Sequence, residues 1–118
     1  MVKPKARFGK LHFVKWDNGE EGGGRWMECS IGQRYIDGSY DVTTHIGDRG
    51  NYLASEISRL GIKSEVGNTV ISYFDEESSY AMKGKHTKND GDGRIFVEFE
   101  NDQEDWIEAS RVHKLETL

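Results

Sequence analysis

Ile95, Val97 and Phe99 alternate with Phe96, Glu98 and Glu100. That period of two predicts a strand with one buried face. Asn101-Asp102 ends it with a turn signal. Trp106-Ile107 starts a second short strand, and Ala109–Val112 reads as a tight bend onto a last one. The same succession runs from Asp37 to Leu60. Asp37-Gly38 is a hairpin turn, Tyr40–Thr44 a strand, Gly47–Gly50 a turn and Asn51–Leu53 a strand. Ala54–Ile57 then predicts a single 3₁₀ turn before Ser58–Leu60. Further upstream, Leu11–Trp16 and Arg25–Ile31 are predicted strands around the Gly-rich loop 17–24. Thr69–Phe74 and Tyr80–Lys85 are predicted strands around the acidic loop 75–79, and Asn89–Gly93 is a hairpin turn. No segment sustains a 3.6-residue apolar period. Turn signals recur roughly every eight to twelve residues, as in small sandwiches and barrels.

Sliding Asp37–Leu60 onto Asp92–Leu115 by 55 residues needs no gap and matches six identities. They are Asp37/Asp92, Gly38/Gly93, Val42/Val97, Ala54/Ala109, Ser55/Ser110 and Leu60/Leu115. They fall at the hairpin turn, in mid-strand and at the closing bend. With the longer Gly loop allowed for, Trp16 and Trp26 are expected to correspond to Tyr73 and Tyr80. The chain therefore reads as all-β, with two tandem units at 8–62 and 63–118. Units of about 55 residues are marginal alone, and the connector Gly61–Glu65 is short. The two are expected to pack side by side.

RIFVEFENDQEDWIEASRVHKL, residues 94–115, resembles the closing strands and bend of the Tudor family. GSYDVTTHIGDRGNYLASEISRL, residues 38–60, has the same form. The resemblance implies two small, strongly bent five-stranded barrels of the SH3-like kind, paired like tandem Tudor readers of methylated histone tails. It implies an aromatic cage at one end of the second barrel, walled by Tyr73, Tyr80 and Phe99 with Asp102 in the following turn. Phe74, beside Tyr73, is an alternative first wall. In the first barrel the same places hold Trp16, Trp26 and Thr44, so a third aromatic wall is missing there. Several rings around a methylated ammonium attract its charge and bury its methyls, at roughly 0.5–2 kcal/mol per contact. A carboxylate adds attraction and a charged hydrogen bond where an N–H remains.

Charge fits that expectation. Residues 1–62 hold 9 Lys+Arg against 8 Asp+Glu, and residues 63–118 hold 7 against 13. An acidic second half suits a basic partner. Core packing is the ordinary role for Trp106, Phe96 and Phe13 in a small barrel. The single cysteine, Cys29, forms no internal disulfide, and a reducing compartment fits it. His12, His45, His86 and His113 have no metal-ligand spacing with it, so no zinc site is expected. The Gly-rich loop is followed by no Gly-Lys-Ser/Thr, which excludes a P-loop. No apolar run is long enough to span a bilayer, so no membrane partner is expected. Met-Val-Lys-Pro-Lys has no hydrophobic segment behind it, so a secretory signal is not expected. No nucleophile pairs with an adjacent base in the sequence, and neither catalysis nor a cofactor is expected. The sequence thus points to a nuclear reader of a methyl-lysine histone tail. Two alternatives stand beside it. One is DNA or other nucleic acid held by the basic N-terminus and the first barrel, with Trp16 and Trp26 stacking. The other is a protein-interaction scaffold indifferent to methylation.

Overall fold

The computed structural model describes residues 6–15, 25–61, 63–73, 78, 80–100 and 102–118. Among them ten strands form one antiparallel sheet. In the first half these are β1 (His12–Lys15), β2 (Arg25–Arg34), β3 (Ser39–Thr44), β4 (Arg49–Leu53) and β5 (Ile57–Leu60). In the second they are β6 (Thr69–Tyr73), β7 (Ala81–Asn89), β8 (Arg94–Phe99), β9 (Glu104–Glu108) and β10 (His113–Thr117). A 3₁₀ turn joins β4 to β5 (Ala54–Glu56) and another joins β9 to β10 (Ala109–Arg111). Both lie where the sequence placed its tight bends.

The strand registers repeat as the sequence does. Ser39 pairs with Leu53 in the β3–β4 ladder, and Arg94 pairs with Glu108 in β8–β9, each 55 residues further on. The β2–β3 ladder slips after Ile31, and β7–β8 slips after His86, its equivalent. Phe13↔Ser58 recurs as Ile71↔His113, so β6 is displaced by 58 residues and not 55. The connection between the first two strands is therefore three residues longer in the first half. This corrects the upstream correspondence. Tyr73, which pairs with Ala81, is the equivalent of Lys15, which pairs with Trp26. Trp26 answers to Ala81 and Arg25 to Tyr80.

The halves are hydrogen-bonded to each other at two seams. Leu60 pairs with Leu115 across β5–β10, and Trp26 pairs with Ala81 across β2–β7. Each seam joins a residue to its own equivalent, so an approximate twofold axis relates the halves. Through these seams the ladders run β2–β1–β5–β10–β6–β7 and return to β2. The core is divided accordingly. Val14, Cys29, Val42 and Ile57 pack in the first half, and Val70, Ile95, Val97, Ile107 and Val112 in the second. Between them lie three pairs of equivalents: Phe13 with Ile71, Trp26 with Ala81, and Leu60 with Leu115. At the axis one large residue meets one small one, because two indoles there would overfill the space. Trp26 is only 6% exposed. It is a core residue between the halves, and not a solvent-facing wall.

Glu28 ties the N-terminal segment to both halves. Its side chain is fully buried on β2. Its carboxylate accepts the Phe8 N–H at 2.9 and 3.1 Å and the Lys10 N–H at 3.2 Å. The Tyr73 hydroxyl donates to the same carboxylate from the second half. A buried carboxylate is tolerated when its lone pairs meet donors in this way. Phe8 then stacks on His45 at 4.1 Å between centroids and meets Tyr73 edge-on at 6.1 Å.

Candidate functional site

At the open end of the second half, a cavity of about 410 Å³ is lined by Tyr73, Phe99 and Trp106, with Glu104, Asp105 and Arg111. Tyr73 ends β6, Phe99 ends β8, and Trp106 stands in the middle of β9. β8 and β9 are joined by a tight turn in which the Asp102 N–H donates to the Phe99 carbonyl at 3.1 Å. The Phe99 N–H donates to the Gln103 carbonyl at 2.7 Å. That closure holds Phe99, Glu104 and Asp105 near one another. Side chains alternate along β9. Ile107 faces the second core, so Trp106 faces out and is 38% exposed. Its ring packs on Phe96, its ladder partner, at 5.1 Å. Both were expected in the core. The structure puts Phe96 half-buried and Trp106 on the surface because strand parity leaves the inner face to Ile95, Val97 and Ile107.

The residues singled out in the sequence do not all meet here. Tyr73 and Phe99 share the cavity. Among the described residues no ring contact links Tyr73, Tyr80 and Phe99. Tyr80, half-buried just before β7, carries the Arg25 guanidinium 5.0 Å above its ring and is not on the cavity wall. Asp102 is exposed, with φ of 67°. Its equivalent, Gly47, has φ of 94° and makes the same turn bond to Thr44. Asp102 is thus the turn residue, since aspartate tolerates the left-handed region better than most. Glu104 and Asp105 are the carboxylates that border the cavity. Trp26 is buried, with the Lys83 ammonium 4.4 Å from its ring. Phe74 and Trp16 lie outside the described residues. Trp106, expected in the core, borders the cavity from the surface. Its alternation with Ile107 was the available signal.

The first half is an internal control. It has the same ladders, and the cavity's residues are not repeated in it. Tyr73, Phe99 and Trp106 are replaced by Lys15, Thr44 and Asn51, and Glu104, Asp105 and Arg111 by Arg49, Gly50 and Glu56. Nothing in the shared backbone demands three rings and two carboxylates at one end of the second half.

Tyr73 is constrained from several sides. Burial first, and then the hydrogen bond and charge of Glu28, push its hydroxyl well above the usual phenol range. The Arg7 guanidinium lies 4.8 Å above its ring, and Arg111 donates to its carbonyl at 2.9 Å. Its ring face therefore already attracts cations within this chain. Among the described residues no group of three or more His, Cys, Asp or Glu is placed to hold a metal ion. Among them, too, no helix is long and apolar enough to cross a membrane. No protein-family model matches the chain, and no curated protein is found to be similar to it.

Proposed function

We propose that the chain is a binding module in which the second half reads a methylated lysine on a basic peptide, such as a histone tail. The observation that carries this reading is the cavity walled by Tyr73, Phe99 and Trp106 with Glu104 and Asp105 at its edge. A trimethylated ammonium is weakly hydrated and still charged. A ring face turned to it gives an electrostatic contact of about 0.5–2 kcal/mol. The two carboxylates favour a cationic ligand and speed its encounter. Arg111 offsets part of that field, but it is turned onto the Tyr73 carbonyl. The strand order β5–β1–β2–β3–β4, repeated as β10–β6–β7–β8–β9, supports reading each half as a small Tudor-like barrel. In this reading the units remain 8–62 and 63–118, the site is nuclear, and the chemistry is recognition without catalysis.

Titration calorimetry with unmodified, mono-, di- and trimethyl-lysine forms of one basic peptide tests it. Affinity is expected to rise at least tenfold from unmodified to the best methylated form. Trp106→Ala is expected to erase the rise while leaving the fold intact, because the residue is on the surface. Equal affinity for all forms, or an unchanged rise in Trp106→Ala, overturns the reading.

A further inference from the structure

A second cavity, of about 560 Å³, adjoins the first and shares Tyr73 and Arg111 with it. Its floor is Phe13, Leu60 and Ile71, three side chains of the core between the halves. Its rim carries two cations, Arg7 from the N-terminal segment and Arg111 from the last 3₁₀ turn, with the half-buried His113 at the start of β10 beside them. The first half again differs. Ser58 stands at the place of His113 and Glu56 at that of Arg111. The positive rim is therefore particular to the second half. An apolar floor with guanidinium groups above it fits an apolar stem that ends in, or lies beside, a negative group.

We propose that this cavity is a second subsite for the same peptide. It takes an apolar residue followed by an acidic one, placed about two to four residues from the methylated lysine. This inference rests on the methyl-lysine reading of the neighbouring cavity. The two cavities share Tyr73 and Arg111, and an extended peptide advances about 3.3 Å per residue, so one strand of ligand reaches both. The floor buries the apolar side chain. Arg7 and Arg111 receive the carboxylate. The recognised sequence is then not uniformly basic, which separates this module from one that only collects positive charge.

The experiment uses the full chain and four peptides. The first carries trimethyl-lysine among alanines and glycines. The second adds Leu-Glu at the stated spacing, tried on either side. The third has Leu-Lys there, and the fourth keeps Leu-Glu but leaves the lysine unmodified. The second peptide is expected to bind about tenfold tighter than the first, and the third to lose that gain. Arg7→Gln and the cavity-filling Ser110→Trp are each expected to bring the second peptide's affinity down to that of the first in the same variant. Equal binding of the second and third peptides, or an undiminished gain in both variants, overturns the subsite. If instead the fourth peptide binds as well as the second and the first not at all, the subsite stands and the methyl-lysine reading falls. Failure of all four to bind overturns both.

Discussion

Replacing Glu28 with glutamine should loosen the N-terminal segment and both halves together. Glu28 has no exposed surface, and three donors converge on it. One oxygen takes the Phe8 N–H at 2.9 Å and the Lys10 N–H at 3.2 Å, and the other takes the Tyr73 hydroxyl. Glutamine keeps an acceptor for the two backbone groups. Its amide nitrogen then faces the Tyr73 hydroxyl. The phenol can turn and accept from it, but the second amide N–H is left buried. A hydrogen bond to a charged group contributes about 1.5–3 kcal/mol and a neutral one about 1. Three weakened bonds and one stranded donor give a cost of about 3 kcal/mol, a large fraction of the stability of a domain this size. Tyr73→Phe removes a single donor from a half-buried site and should cost about 1.5 kcal/mol. The double variant should cost less than the sum, because both changes break the same bond. Urea unfolding measures all three, with amide exchange at Phe8 and Lys10 as a local readout. A cost below about 1 kcal/mol for Glu28→Gln, with the Phe8 and Lys10 amides exchanging as in the parent chain, refutes this account.

Gly84→Ala should destabilise by about 1–3 kcal/mol in a thermal melt, since a Cβ there would lie 2.6 Å from the Glu98 carbonyl oxygen and 2.8 Å from Val97 Cγ1. Because Gly84 pairs with Phe99, that substitution should also weaken methyl-lysine binding. Cys29 is buried, and burial followed by the charge of Glu28 pushes its thiol up to about 12. It should resist thiol reagents at pH 8 in the folded protein and react once urea unfolds it. Below pH 6.5, stability should decline. Burial holds both His12 and His113 below the ordinary imidazole value, aided at His12 by Arg59 and opposed at His113 by Glu28. The unfolded chain then binds protons that the folded one refuses, and the decline levels off once pH passes below the folded values. Melts between pH 7.5 and 5 read this out. The variant His12→Gln/His113→Gln should show a shallower slope.

The strands, the two 3₁₀ bends and the repeat of 55 were legible in the sequence because they rest on local rules. Alternation, turn residues and recurrence need no knowledge of what packs on what. The same rules carried Ile95 and Val97 to the inside. Alternation along β9 also implied an outward Trp106. A preference for burying large aromatics in a small core obscured it. The left-handed turn at Asp102 could have been read from its equivalence to Gly47, which marks a backbone demand and not a ligand.

Other features arise only when distant strands meet. Trp26 is buried because β2 pairs with β7, where Ala81 leaves it room, and nothing near Trp26 in the chain announces that partner. Glu28 looks like any strand carboxylate until Phe8, Lys10 and Tyr73 close on it. The sharing of one cavity by Tyr73, Phe99 and Trp106, and of its neighbour by Arg7 and Arg111, depends on which strand ends face each other. Local pattern determined the elements and their repetition. Tertiary pairing decided which aromatics became core, which became walls, and where the two halves joined.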